Sequence, residues 1–253
     1  MPISLRELHL TLEEILQPQK FRDYCPNGLQ IEGRAEVSRL VSGVTACQQL
    51  IDAAIAVDAD AILVHHGFFW RGENEAITGM KRRRIAALLA SDVSLLAYHL
   101  PLDAHPQFGN NACLARLLDI SVEGELNPLD ADVIGNVGSF AGATRVADLM
   151  ERIEQRLGRA ALLIGDAQAT VRRVAWCTGA GQGFIEQALA AGADIFISGE
   201  ISEQTVHVAR EEGIHFIAAG HHATERYGVQ ALGVEVAQRL DIEHQFIDID
   251  NPV

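Results

Sequence analysis

Hydrophobic and polar positions along this chain follow two alternating periods, one typical of buried strands and one of amphipathic helices. Seven short apolar runs indicate strands: Leu40–Val44, Ala61–Val64, Leu95–Tyr98, Val174–Cys177, Ile195–Ser198, Phe216–Ala219 and Gln245–Ile249. Helical periodicity marks six other segments: Met1–Leu16, Gln49–Val57, Arg82–Ala90, Val146–Leu157, Phe184–Ala191 and Gln204–Glu211. This alternation predicts βαβ units, hence the α/β class with a largely parallel sheet covered on both faces.

Two stretches of the chain have a similar pattern. Gln48–Val64 and Gly183–Ser198 both pass from an amphipathic helix through an Ala-Asp step into an apolar strand. A duplication predicts two half-chains of shared design, although two Ala-rich βαβ units can also look alike by chance. In the second copy, Gly199-Glu200 stands where the first has His65-His66.

Three histidine-rich segments follow apolar runs, at Val64–Trp70, Tyr98–Pro106 and Ala219–Gly228. Proteins of the α/β class bind ligands at the carboxyl ends of their strands. Imidazoles and carboxylates together are typical ligands of zinc, iron, manganese and nickel. The three segments therefore indicate a metal site, and they leave the identity of the metal open.

The spacing of these residues indicates how they bind. Adjacent side chains on a strand point to opposite faces, so we expect His65 and His66 to serve two ions, or one ion and one structural hydrogen bond. His221 and Glu225 share one face if a helix begins there. Asp103 could bridge two metals. Five such ligands suit two ions about 3.5 to 4 Å apart.

Other residues have plainer interpretations. His99, four residues before Asp103 as His221 is before Glu225, could be a ligand, a proton carrier or a partner of a ligand. His222 is expected to face away from His221, as a partner of a ligand or exposed to solvent. Phe68–Trp70 could be a wall or an interface, with core packing as the default. Five histidines are expected to be hydrogen-bonded core residues: His9, His105, His207, His215 and His244.

Composition narrows the class of protein. The 253 residues carry a formal net charge of −14, which disfavours extended electrostatic binding to the phosphates of nucleic acid. The four cysteines form no C-x-x-C pair, so neither a zinc ribbon nor a disulfide framework is indicated. No apolar stretch reaches the roughly 18 residues of a membrane span, and the N-terminus lacks the apolar core of a secretory signal. We therefore expect a soluble, cytoplasmic protein.

Several motifs resemble those of the GTP cyclohydrolase 1 type 2 homologues, which form a Nif-three-like family. They run from the first helix to the last: Asp23–Gly33, Val44–Gln48, Val64–Trp70, Gly79–Arg84, His99–Asn111 and Gly220–Gly228. The chain looks like a short bacterial member. The resemblance implies two interlinked α/β/α domains of similar design, a dinuclear metal site in the cleft between them, and a ring-shaped homohexamer. Carried over by motif, its ligands are the same five: His65, His66, Asp103, His221 and Glu225.

The family name implies opening of the guanine imidazole ring of GTP with loss of formate. Metal ions that lower the pKa of water would support such a hydrolysis, with His99 as the catalytic proton carrier. No P-loop of the G-x-x-x-x-G-K-[ST] type is present. The basic cluster Lys81–Arg84 could bind phosphate, or could be a solvated helix face or a subunit contact.

We therefore predict a metal-dependent hydrolase with two divalent ions per chain that acts on a nucleotide or a related heterocycle. The alternatives are an iron-dependent oxidase or peroxidase-like enzyme, and a metal-binding scaffold or regulatory protein without turnover. The predicted domains are residues 1–126 plus 221–253, and residues 127–220.

Overall fold

A computed structural model describes residues 1–130 and 132–253; Ala131, within the predicted second domain, lies outside the described residues. Thirteen strands are described: β1 (Ile3–Ser4), β2 (Gly28–Ile31), β3 (Glu36–Val37), β4 (Arg39–Thr45), β5 (Ala61–His66), β6 (Ser94–Ala97), β7 (Ile120–Glu125), β8 (Asn136–Arg145), β9 (Leu162–Ile164), β10 (Thr170–Cys177), β11 (Ile195–Ser198), β12 (His215–Ala218) and β13 (Glu243–Phe246). The described helices are α1 (Leu5–Leu16), α2 (Gln48–Ala56), α3 (Gly79–Ala90), α4 (Leu100–Ala104), α5 (Asn110–Leu117), α6 (Val146–Leu157), α7 (Ile185–Ala190), α8 (Glu203–Glu212) and α9 (His221–Leu240).

The described residues form two compact units, and the chain returns to each unit after leaving it. Unit 1 comprises Met1–Leu102 and Gly228–Asp250, and unit 2 comprises Asp103–Tyr227 and Asn251–Val253. The sequence places α5 and β7 in the first domain, whereas here they belong to unit 2. The reason is packing: β7 pairs with β8, and the buried side chains of α5 join the same core as Phe140 of β8.

Unit 1 is built around a five-stranded sheet in the order β13-β4-β5-β6-β2. Its first four strands are parallel, and only β2 runs antiparallel. The apolar residues of α2 and α3 pack on one face: Leu50, Ile51, Ala54, Ile85 and Leu88. The predicted parallel sheet is therefore confirmed for this unit, and its parallel strands bring their carboxyl ends to one edge.

Unit 2 has a six-stranded sheet in the order β7-β8-β10-β11-β12-β9. Only β10, β11 and β12 are parallel, so the expected largely parallel arrangement is wrong for this sheet. Both faces are buried as expected. Val174 and Trp176 of β10 belong to one core with α6, whereas the alternating Ala175 and Cys177 belong to another core with α7 and α8.

The two sheets share the same frame at the amino ends of their central strands. In unit 1, Asp60 accepts the backbone N–H groups of Ser38 and Arg39, at 2.7 and 2.9 Å. In unit 2, Asp194 accepts those of Arg172 and Arg173, both at 2.8 Å. The order β4-α2-β5-α3-β6 in unit 1 matches β10-α7-β11-α8-β12 in unit 2. This detail supports the duplication that the sequence predicts.

The repeat does not align the His99 and Asp103 pair with the His221 and Glu225 pair. Tyr98 donates its backbone N–H to Val64, and Ala219 donates to Ser198, so Tyr98 corresponds to Ala219. His99 then corresponds to Gly220 rather than to His221. The equal spacing of the two histidine and acid pairs is therefore not a feature of the repeat itself.

No helix among the described residues has both the length and the apolar character needed to cross a membrane.

Candidate metal centre

Three imidazoles gather at the carboxyl edge of the unit 1 sheet. His65 and His66 end β5, and His99 follows β6. The His65 ring lies 4.4 Å from that of His66 and 5.1 Å from that of His99, measured between centroids. One nitrogen of each lies within 4.8 Å of the others. Three such nitrogens could hold one metal ion.

The expectation that His65 and His66 point to opposite faces is wrong at this position. His66 is the last residue of β5, so the pleat that separates neighbouring side chains ends there. Gly67 follows, and a Cβ there would lie 2.3 Å from the Gln30 Oε1 and 2.5 Å from the Ala97 Cβ. The chain can turn closely at Gly67 because it carries no side chain.

Hydrogen bonds engage Nδ1 of both rings, and the bond of His65 also fixes its tautomer. His65 Nδ1 lies 3.0 Å from the Tyr98 carbonyl oxygen, which can only accept, so Nδ1 carries the proton. His66 Nδ1 contacts the Thr45 hydroxyl at 3.2 Å. Metal-binding histidines commonly use one ring nitrogen for such a partner and the other for the ion. Because Nδ1 contacts a hydrogen-bond partner in both rings, Nε2 is the candidate ligand atom of His65 and of His66.

Asp23 holds His99 in the same way, through a 2.7 Å bond from His99 Nδ1 to Asp23 Oδ1. The Asp23 side chain is only 4% exposed. Burial alone would raise the pKa of Asp23, but the bond and charge of His99, with help from Asn27, lower that pKa to about 2. Asn27 also accepts the His99 backbone N–H at 2.7 Å. Asp23 is therefore an ionised group that orients His99.

In unit 2, His221 lies between two carboxylates. Its Nδ1 donates to Glu200 Oε1 at 2.7 Å, and its Nε2 lies 3.2 Å from Glu225 Oε2. Burial opposes the charged imidazolium, but Glu225 and Glu200 outweigh that effect and raise the pKa of His221 to about 9. His221 is the first residue of α9, so the predicted helical spacing does bring it to Glu225.

Gly179 makes room for this pair. A Cβ at Gly179 would lie 2.0 Å from Glu225 Oε1 and 3.2 Å from His221 Nε2, and the backbone has a left-handed φ of +62°. Both facts require glycine. An imidazole nitrogen and a carboxylate oxygen brought this close are donors that divalent ions bind, so the residues present fit a metal.

Asp103 in unit 2 is buried and held by neighbours. Its Oδ1 accepts from Asn110 Nδ2 at 2.8 Å and from the Thr178 hydroxyl at 3.2 Å. Ligand oxygens of Asp103 and Glu225 lie within 4.8 Å of each other. Two oriented carboxylates this close are typical of a site that neutralises them with a cation.

The remaining predicted residues lie elsewhere. His222 is buried rather than exposed, and its backbone N–H bonds the Val253 oxygen. His244 is half-buried and bonds the Ser42 hydroxyl at 2.8 Å, which agrees with a structural role. His207 is exposed on α8, so it is not the core residue that we expected. In the basic cluster, Lys81 Nζ lies 3.5 Å from Glu73 Oε1, so this cation has an acidic neighbour.

Comparison with known proteins establishes the family. A family model described as Duf34/NIF3 (NGG1p interacting factor 3) matches residues 3–252. The chain belongs to this family. A Pseudomonas aeruginosa relative named GTP cyclohydrolase 1 type 2 homolog is 57% identical over 252 residues, which is 100% of both chains. An Escherichia coli K12 relative of the same name is 51% identical, covering 97% of this chain and 98% of its own. The resemblance predicted from the motifs is confirmed.

Solved structures agree on the fold. Protein ybgI, described as of unknown function, is similar with a TM-score of 0.94 and 50% identity, covering 99% of this chain and 100% of its own. TTHA1606 from Thermus thermophilus has a TM-score of 0.88 and 32% identity, with the same coverage. Reduced HcgD from Methanocaldococcus jannaschii, at 22% identity and a TM-score of 0.84, shares the fold.

The sequence analysis missed the residues that orient the imidazoles. Asp23 and Asn27 lie in a motif that carried the family resemblance, but nothing local to that motif connects it to His99. Glu200 was visible only as the repeat counterpart of His66. Gly179 lies in a glycine-rich turn after β10, which is the signal that could have identified it.

Proposed function

We propose that the donors of the two units form a single centre for two divalent ions, and that the protein is a metal-dependent hydrolase acting on a nucleotide or related heterocycle. The proposed ligands are His65 and His66 from unit 1 and Asp103, His221 and Glu225 from unit 2. The observation that carries this proposal is the orientation of the imidazoles. His65 and His221, one from each unit, both commit Nδ1 to an oxygen acceptor, as metal-binding histidines do.

Ions bound at these donors would supply Lewis acidity and lower the pKa of a nearby water. His99 is proposed to accept the proton of the attacking water, because Asp23 holds its Nδ1–H and leaves Nε2 as the basic atom. A C–O bond forms to the ring carbon, one C–N bond breaks, and His99 returns the proton to the departing nitrogen. A second water then breaks the remaining C–N bond of that carbon in the same way, which releases formate. Asp23 stabilises the imidazolium that forms in between.

The resemblance also supports a ring of six subunits and ligand chemistry suited to zinc, iron, manganese or nickel. Light scattering should then give six times the 27.5 kDa chain mass. A monomeric or dimeric mass would contradict the ring without affecting the metal proposal.

The test is hydrolysis by protein with a measured ion content, using GTP and a panel of other nucleotides, with formate and the ring-opened product as readouts. Turnover should disappear with chelator and in Asp103→Ala, and should persist in the control His207→Ala. Two bound ions without turnover would overturn the hydrolase in favour of a non-catalytic metal protein. Turnover that requires oxygen would instead favour the iron-dependent oxidase.

A further inference from the structure

Two aromatic side chains lie beside the proposed proton carrier and have no role in holding it. The Trp70 ring is half-buried, with its centroid 4.9 Å from that of His99 and 5.8 Å from that of His66. The Tyr24 ring is 6.1 Å from His99, and Tyr24 is 56% exposed. Accessible aromatic side chains beside a group of convergent polar side chains are typical of ligand sites.

The loops that carry these rings are tied together. Gln30 donates from Nε2 to the carbonyl oxygens of Pro26 and Phe68, at 2.8 and 3.1 Å, and its Oε1 accepts the Phe68 N–H at 2.7 Å. Arg71 donates its backbone N–H to the Tyr24 carbonyl at 2.6 Å. The two rings therefore belong to one braced surface rather than to independent loops.

Backbone strain occurs at the same surface. Phe69, immediately before Trp70, has a φ of +68°, a left-handed conformation that is unfavourable for a bulky residue. Strain of this kind persists where the surrounding structure enforces it, often at ligand sites. Here it accompanies the position of Trp70 against His66 and His99.

A positive charge completes the surface. Arg71 is exposed, and its Nη2 donates to the Asp23 carbonyl oxygen at 3.1 Å, which holds the guanidinium on the loop that carries Tyr24. In a chain with a net charge of −14, a cation held on the loops that carry two aromatic rings favours a ligand that is both planar and anionic.

We infer that Tyr24 and Trp70 form a stacking surface for the aromatic heterocycle of the substrate, and that Arg71 binds its anionic group. This inference rests on the proposed function, because it places the ring of the substrate next to His99. A nucleotide is the ligand class that combines a purine ring with phosphate. None of these three residues is among the proposed metal ligands.

The chain allows a direct fluorescence test, because it has only two tryptophans and Trp176 is fully buried. GTP and ATP are titrated separately, so that the purine preference is read from the same experiment, and calorimetry measures affinity in parallel. At least one of them should quench Trp70, whereas inorganic triphosphate should not. Trp70→Phe should lose the quench but keep affinity within about threefold, because a stacking ring remains.

Removing the rings should weaken binding. Trp70→Leu and Tyr24→Leu should each weaken nucleotide binding by about 5-fold to 150-fold, whereas Tyr24→Phe should not. Arg71→Gln should weaken binding of GTP but not of guanosine. The matched control is Phe108→Leu, which removes a ring stacked on His105 at 5.1 Å in unit 2 and should leave binding unchanged.

Three results would overturn the inference: no binding of either nucleotide, unchanged affinity in both leucine variants, or triphosphate binding as tightly as GTP. The ion content of each variant is measured alongside. Ring-dependent binding without hydrolysis would contradict the proposed hydrolase and leave the stacking surface standing. Hydrolysis that both leucine variants retain in full would contradict the surface alone.

Discussion

The two central βαβαβ segments are alike at the amino ends of their strands and different at the carboxyl ends. Asp60 and Asp194 occupy equivalent positions and accept equivalent backbone N–H groups. The second strand of the unit 1 segment ends in His65-His66, and the equivalent positions just after the second strand of the unit 2 segment are Gly199-Glu200. One end holds the sheet together and the other carries residues proposed to bind metal, so the repeated frame can supply two different sets of donors.

The difference also separates ligands from the groups that orient them. At the position where unit 1 has His66, unit 2 has Glu200, which contacts His221 at Nδ1 rather than the atom proposed to bind metal. Likewise Gly179 follows β10 at the position equivalent to Thr45, which contacts His66. The position of His66 and Glu200 is therefore a proposed ligand in one unit and a support in the other, whereas Thr45 and Gly179 are supports in both.

The largest effect on metal binding among support positions should come from Gly179→Ala. The new Cβ would overlap Glu225 Oε1, and the left-handed backbone would add roughly 1–2 kcal/mol of strain. We expect metal affinity, measured by competition with a chelator, to fall by more than about 100-fold, which exceeds the usual cost of losing one orienting hydrogen bond. Gly183→Ala is the control, because a Cβ at Gly183 in the same turn meets nothing within 4 Å. Equal affinities in the two variants would refute the role of Gly179.

A smaller effect is expected when an orienting group loses its charge. Glu200→Gln should weaken metal binding by about 10-fold to 100-fold, because the Nδ1 partner of His221 becomes a neutral amide. Thr45→Val, which removes a neutral and longer hydrogen bond to His66, should cost less. The same chelator competition compares the two variants. A larger loss in Thr45→Val would reverse the proposed ranking of the two supports.

The amino-end frame should affect stability and leave metal binding unchanged. Asp60→Ala removes the acceptor of two backbone N–H groups and a 2.8 Å ion pair with Arg34, and should lower the free energy of unfolding by about 1–3 kcal/mol. Asp194→Ala, at a more exposed position, should cost about 0.5–1.5 kcal/mol. Urea unfolding measures both. Loss of bound ions from either folded variant would show that the amino ends of the strands and the proposed metal-binding ends are coupled.

Much of the fold was predictable because apolar periodicity is a local property of the sequence. The strand at Ile195–Ser198 and the helix at Val146–Leu157 are observed at the predicted boundaries. The prediction missed α5 and β7–β9. β7 and β8 pair antiparallel with irregular register, and their exposed faces interrupt the apolar pattern. Their place in the sheet depends on partners distant in sequence.

The candidate site divides in the same way. His221 and Glu225 meet because helical spacing is regular, so their contact was predictable. The convergence of His65 and His66 was not, because it depends on where β5 ends and on a turn at Gly67 that packs against Gln30. Asp23 reaches His99 across a long stretch of sequence, and one sequence alone carries no signal of that contact.

The central claim is that donors from both units hold two ions in one centre. Elemental analysis of protein purified without added metal tests it most directly, applied to the wild type, to His65→Ala and Glu225→Ala as one variant from each unit, and to His207→Ala as control. We expect two ions per chain in the wild type and the control, and fewer than two in either ligand variant. Fewer than two in the wild type, or a full two in both ligand variants, would contradict the account.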